Sequence, residues 1–356
     1  WGVPLASAAV SATSAPVMDV NPGRVDVVGI GNALVDVLSR GTDELISELG
    51  LVKGSMDLID DARVSELYER MGPGVEVSGG SAANTMAGVA SLGGSAHFIG
   101  RVRDDQLGAV FAHDMVATGV AYTTSAATDG PSTGCCLIVV TPDAQRTMNT
   151  YLGASVFLGP DDVDADVVAS GTVLYLEGYL FDRPDAQEAF RRAAAIAHDA
   201  GRTVAVTLSD SFCVERHRDD FLDLVANHVD LLFANEAEIT ALYRTDFDAA
   251  VEAVRRDGTV AALTRSELGS VIVTGDATIE VPAGVVSELV DTTGAGDLYA
   301  SGFLHGVSRG RDLATCGALG SLAASEVISH MGPRPEVSLA GLAAPSAPAR
   351  AMTFEL

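Results

Sequence analysis

The regular alternation in the second half of the chain limits the possible folds most. Apolar runs at Thr172–Leu176, Thr203–Thr207, Asp230–Ala234 and Val260–Thr264 are separated by helical stretches, notably Pro184–Ala200 and Asn235–Tyr243. Short apolar runs between helices predict buried strands, so the pattern predicts an α/β fold: a mostly parallel sheet with helices on both faces. Val25–Ile30 and His97–Gly100 read as further strands, and Ser81–Leu92 and Gln106–Thr118 as helices. A strand pair at Gly269–Thr274 and Thr278–Val281 precedes two Ala/Gly-rich helices, about Gly294–Ser308 and Arg311–His330. In open sheets of this kind ligands bind beyond the carboxyl ends of the strands, where the informative residues fall.

One region breaks the alternation. From Tyr122 to Tyr151 the runs CCLIVV and RTMNTY are β-rich and separated by a turn. With Ser55–Ile59 they predict a small antiparallel sheet appended to the main fold, a β-rich lid drawn from about 36–59 and 120–151. The main domain is expected over 25–340. Residues 1–24, small and poorly periodic, read as an extension in which Met18 offers a start, and 341–356 as a tail.

Charge and composition exclude several classes. The net charge of −26 and pI near 4.4 disfavour nucleic-acid and anionic-membrane partners, because both repel an acidic surface. Of 22 basic residues only Lys53 is lysine, and there is no G-x-x-x-x-G-K-[ST] loop. Any phosphate binding must therefore draw on backbone N–H groups, helix dipoles, arginine or metal. Cys135, Cys136, Cys213 and Cys316 show no C-x-x-C or metal spacing and read as reduced and buried. No segment has the apolar length of a membrane span, and a cytoplasmic protein is expected.

Four motifs carry chemistry. Asp291–Asp297, DTTGAGD, opens a small-residue helix. There the N–H groups of Gly294, Ala295, Gly296 and Asp297 make an anion hole, and Asp297 can accept a proton from a hydroxyl. By itself a glycine loop with an acidic cap reads equally well as structural. Gly79-Gly80-Ser81-Ala82-Ala83-Asn84 lets a ligand approach the backbone beside an amide, or is a glycine turn capped by Ser81. Gly29–Asp36, GIGNALVD, suggests a dinucleotide loop, but Leu34 replaces its third glycine and no suitable helix follows. Asp36 is then a ligand for hydroxyls or a solvated strand end. Asn235 and Glu238, three apart after a strand, suit a capping box or the water shell of Mg²⁺.

In this order the motifs resemble those of the ribokinase-like (pfkB) family of carbohydrate and nucleoside kinases, over roughly 25–340. The resemblance implies an ATP- and Mg²⁺-dependent phosphotransferase acting on a primary alcohol. In it Asp297 is the base, Gly294, Ala295 and Gly296 stabilise the transferring phosphate, and Asp36, Gly79, Gly80 and Asn84 bind substrate. It further implies that Asn235, Thr264, Gly269 and Gly296 line the ATP site. Asn235 and Glu238 would hold Mg²⁺ through water, and Asp291 and Thr293 a monovalent cation, K⁺. Ser325–Pro335 lies where the family wraps adenine, and Asp105 and Gly108 match its G-x-D-x-x-G positions. Arg146 either neutralises a phosphate or pairs with a surface carboxylate.

GNALVD, NTYLGAS, YLEGYLF and TRSELGS resemble the nucleoside branch, so adenosine is the preferred substrate, with a sugar (ribose, fructose or ketodeoxygluconate) as the alternative. Two other classes remain at this point: an NAD-binding oxidoreductase resting on GIGNAL, and a non-catalytic nucleoside sensor. A homodimer formed through the open face of the lid is expected.

Overall fold

A computed structural model describes residues 24–143 and 145–344. The extension expected over 1–24 lies outside them save for Arg24, as does the tail from 345 onward. Along the chain the strands are β1 (Val25–Ile30), β2 (Leu34–Arg40), β3 (Met56–Leu58), β4 (Gly74–Gly79), β5 (Ala96–Ile99), β6 (Val120–Tyr122), β7 (Gly134–Val140), β8 (Arg146–Tyr151), β9 (Gly171–Glu177), β10 (Thr203–Thr207), β11 (Leu231–Asn235), β12 (Val260–Thr264), β13 (Ser270–Val273) and β14 (Thr278–Val281).

Among the described residues the large sheet has nine strands in the order β14-β13-β12-β11-β10-β9-β1-β5-β6. It is parallel except for the antiparallel pairs β12–β13 and β13–β14 at one edge. Its side chains alternate between two cores, as a sheet covered on both faces requires. Val28, Ile30, Leu174, Leu176, Val204 and Val206 pack with the helices Pro184–Asp199, Arg218–His228 and Phe247–Asp257. Val27, Val173, Tyr175 and Ala205 pack the other way, with the helices Ser81–Ser91, Gln106–Ala117 and Ala295–Ser308. Mixed α/β architecture with a mostly parallel sheet follows the alternation.

The smaller sheet differs from the expectation. It has five strands, β3-β8-β7-β2-β4, and is mixed: β2–β7 and β3–β8 run parallel, β2–β4 and β7–β8 antiparallel. The cause is β2, which carries the chain from the end of β1 straight into this sheet. GVEVSG (β4) has too few apolar residues to announce itself, and Val120–Tyr122, expected in the lid, pairs instead with β5 at the edge of the large sheet. Because β2 is a strand, no helix follows the Gly29–Asn32 turn in the chain, and the dinucleotide reading loses the helix that its fingerprint requires.

No described helix is long and apolar enough to cross a membrane. The four cysteines are free and buried.

Candidate active site

The helix Ala295–Ser308 starts at Gly294, whose φ of 80° lies in the left-handed region where glycine alone is unstrained. A Cβ there would also lie 2.8 Å from Pro333. Leu298 N–H closes the first helical bond onto the Gly294 carbonyl (2.8 Å). The four-amide anion hole expected from sequence needs one correction. The Ala295 N–H already donates to the Thr292 carbonyl (3.2 Å), because the turn leading into the helix folds back on itself. The amides of Gly294, Gly296 and Asp297 have no partner among the described residues. A Cβ on Gly296 would meet nothing within 4 Å, so this side of the turn is open.

Asp297 sits on the first turn, partly exposed. Ser81 Oγ donates to its Oδ1 (2.6 Å) and Asn84 Nδ2 to its Oδ2 (3.0 Å). Burial pushes its pKa up to about 6, against the opposing pull of those two hydrogen bonds and of Arg334. Such a carboxylate is ionised at neutral pH yet close enough in proton affinity to take a proton.

Ser81 and Asn84 belong to the helix Ser81–Ser91, which follows Gly79 and Gly80. Gly79 ends β4 against Asp36: a Cβ there would lie 2.6 Å from the Asp36 carboxylate. Gly80 lies against the Asn32 carbonyl, where a side chain would collide. The Asp36 carboxylate has no hydrogen-bond partner among the described residues. Burial raises its pKa to about 6, with Arg146 and Arg334 pulling it down and Asp297 pushing it up. A partly exposed carboxylate with both oxygens free suits a ligand that brings its own donors. Asn84 is not free in this way. Its Nδ2 serves Asp297, and its Oδ1 accepts from Arg334 Nε (2.9 Å).

Two groups here escaped the sequence reading. Glu177, at the end of apolar β9, is fully buried and accepts from Ala82 N–H (2.8 Å) and Asn32 Nδ2 (2.8 Å), pinning the start of the Ser81 helix to the β1–β2 turn. Burial raises its pKa to about 7. The signal was a carboxylate at the carboxyl end of a central strand. Arg334 lies between two prolines in a segment that the resemblance gives to adenine and a monovalent cation, with no part assigned to the arginine.

Farther along the same edge, Asn235 ends β11 and is in register with Thr264, the last residue of β12. Thr264 pairs in turn with Ser270, and Gly269 makes the turn between them. Asn235 and Glu238 form a capping box: Asn235 Oδ1 accepts from Glu238 N–H (2.9 Å), while Glu238 accepts from Asn235 N–H (3.0 Å) and Nδ2 (2.6 Å). Glu238 is buried, which raises its pKa to about 7. Each carboxylate oxygen keeps a lone pair, so the pair fits Mg²⁺ held through water, whereas direct ligation would break the cap.

Asp291 and Thr293, expected to hold a monovalent cation, lie in contact with each other. Asp291 Oδ1 accepts from Thr293 N–H (2.9 Å) and Oγ1 (2.6 Å), and its Oδ2 from Gly332 N–H (3.0 Å) and Arg146 Nη1 (2.7 Å). Burial alone would raise its pKa, but these bonds overrule burial and bring it to about 2. The carboxylate is paired with a guanidinium, which favours its charged form. Arg146 therefore pairs with a buried carboxylate, not a surface one. Asp105 is structural: it caps the helix Gln106–Ala117 through Gly108 N–H (2.8 Å) and binds Thr133.

The smaller sheet turns a defined face toward this site. The register places Asp36 beside Cys136 and Thr150, and Leu38 beside Ile138 and Met148, on the face from which Arg146 reaches Asp291. Val35, Val37, Cys135 and Leu137 point away, into the core with Leu67, Phe111 and Met115.

The model of the pfkB family carbohydrate kinases matches residues 49–338. Adenosine kinase of Saccharomyces cerevisiae is 28% identical over 331 residues, spanning 86% of this chain and 96% of that protein. The crystal structure of adenosine kinase from Sinorhizobium meliloti aligns with a TM-score of 0.82 at 55% identity, covering 90% of this chain and 98% of the other. A probable sugar kinase protein from Rhizobium etli CFN 42 aligns with a TM-score of 0.83 at 52% identity over the same shares. With the phosphate-ready turn and its carboxylate in place, this chain belongs to the pfkB family of carbohydrate kinases and is a kinase that transfers phosphate from ATP.

Proposed function

We propose that this kinase phosphorylates the 5′ primary alcohol of a nucleoside, adenosine first, giving AMP and ADP. The observation that carries the reading is Asp297: a carboxylate shifted to about 6 by its surroundings, on the same first helical turn as the unpartnered amides. The alcohol oxygen attacks the γ-phosphorus, its proton passes to Asp297, and the bond to the β–γ bridging oxygen breaks to release ADP. The amides of Gly294, Gly296 and Asp297 stabilise charge on the phosphoryl oxygens. Asp36 holds ribose hydroxyls. Thr264 and Gly269 border the nucleotide. Magnesium, when bound, neutralises phosphate charge, and Asn235 and Glu238 would hold its water shell.

The choice of a nucleoside rests on the smaller sheet, which we read as a lid. Its inward face sets Leu38, Ile138 and Met148 beside Asp36, an apolar strip that suits a base next to hydroxyls. The names of the S. meliloti and yeast relatives point the same way. The R. etli relative favours a sugar as the second reading. ATP turnover measured with adenosine, other nucleosides, ribose, fructose and ketodeoxygluconate decides. Strong adenosine phosphorylation is expected; turnover of sugars alone overturns the nucleoside, and no acceptor turnover at all returns the chain to a sensor.

Exposed Val52, Met56, Leu58 and Val75 on or beside the lid support a homodimer, which sedimentation equilibrium tests. Four buried free thiols and the use of ATP support a cytoplasmic location, which cell fractionation tests.

A further inference from the structure

The segment after the helix Leu313–Val327 is fastened over the site at several points. Gly332 N–H donates to Asp291 (3.0 Å), Pro333 lies against Gly294, and Glu336 and Val337 N–H groups donate to Glu326 Oε1 (3.0 and 3.2 Å). Between these anchors stands Arg334. Its Nη2 donates to the Ser78 carbonyl (2.8 Å) and Oγ (3.0 Å), and its Nε to Asn84 Oδ1 (2.9 Å). An amide has one acceptor end and one donor end. With Oδ1 held by a guanidinium, the Asn84 NH₂ must face the other way, and there it meets Asp297 Oδ2 at 3.0 Å.

We propose that Arg334 is a positioning residue for phosphoryl transfer, acting through Asn84 to orient and charge-stabilise the Asp297 carboxylate. This inference rests on the reading of Asp297 as the base. The fork geometry matters: one planar group serves Ser78 at the end of β4 and Asn84 on the following helix, which a lysine could not do at once. Charge matters as well. Facing Asp297 are Ser81 and Asn84 from the helix, Asp36 from β2, Tyr175, Glu177 and Tyr179 from β9 and the turn after it, and Arg334. Arg334 is the positive member of that set. It also lies in the fields of Asp114 and Asp36, which offset part of the cost of burying it.

The test uses the full chain and whichever acceptor the wild type phosphorylates, so a wrong acceptor or a wild type without turnover is recognised separately. Arg334→Met, Arg334→Lys, Asn84→Ala and the double variant Asn84→Ala/Arg334→Met are followed by kcat, both KM values, the pH profile and thermal unfolding. For folded Arg334→Met the expected result is a kcat loss of about tenfold or more. The acidic limb should move up by about half a unit to one unit, with the KM for ATP unchanged. Arg334→Lys keeps the charge, so its limb stays near the wild-type position while kcat still falls several-fold. In the double variant the loss should not exceed that of Asn84→Ala by the full Arg334→Met factor. A wild-type kcat and limb in Arg334→Met, fully additive losses, or an effect confined to the KM for ATP would overturn the proposal. If the methionine variant does not fold, Arg334→Lys decides: wild-type kcat overturns the proposal, and reduced kcat with an unmoved limb supports it.

Discussion

At the residue scale the chemistry concentrates in carboxylates whose surroundings differ. Asp291 is bonded on both oxygens and held at about 2, whereas Asp36 and Asp297 are raised to about 6 by burial. Replacing Asp297 by Asn keeps shape and removes the proton acceptor, so kcat should fall by about 10²–10⁴-fold with circular dichroism unchanged. A near-normal kcat would remove Asp297 from the reaction. In the wild type, kcat/KM should decline about tenfold per unit below pH 6, as the base fills with its proton. Stability carries the same signature with its own sign. A carboxyl whose folded pKa is raised from 3.8 to about 6 binds its proton more tightly in the folded state, so stability is lost as pH rises through that window. Asp36→Asn should therefore raise the unfolding temperature at pH 7.5, with the gap from wild type closing near pH 4, while the acceptor KM rises. A higher melting point at pH 4 as well would assign the gain to something other than ionisation.

At the element scale the helix start at Gly294 separates two glycines that look alike in sequence. Gly294→Ala meets both the left-handed backbone and Pro333, and should destabilise by about 1–2 kcal/mol from the backbone alone, with more from the collision. Gly296→Ala enters open space inside a helix, so the melting temperature should hold or rise, while kcat should drop because a methyl group would stand where the proposed reaction sets the phosphate oxygens. Equal melting and kinetic losses in the two variants would contradict the turn geometry. Between elements, Arg146 of the smaller sheet and Asp291 before the helix form a pair with side chains 6% and 10% exposed. Arg146→Met strands a buried charge and should cost about 3–5 kcal/mol, read from the urea midpoint. A change below about 1 kcal/mol would show that the smaller sheet does not depend on that pair. That sheet was only partly legible. CCLIVV and RTMNTY announce themselves by β-branched runs, but GVEVSG does not, and no local signal says that β2 runs parallel to β7.

At the scale of the whole molecule, a net charge of −26 on 356 residues is self-repulsive. Added monovalent salt screens it, so the melting temperature should rise between about 0.05 and 0.5 M, beyond the effect expected for a neutral protein. A flat response would show that the acidic surface is already compensated locally. The two cores flank one sheet, and the candidate site gathers at the carboxyl edge from residues as distant as Asp36, Ser81, Glu177, Asp297 and Arg334.

Local patterning by itself was enough to establish the sheet, its covering helices and the glycine turn before Asp297, and to offer the capping box at Asn235 as one of two readings, because periodicity and backbone freedom act within a few residues. Partnership was settled only by tertiary packing. Asn84 faces Asp297 with its amide held by Arg334, 250 positions away in the chain, and Asp291 is satisfied by Arg146 across 145. A side chain's charge, orientation and availability depend on which groups share its low-dielectric surroundings, and chain-distant partners leave no spacing to read.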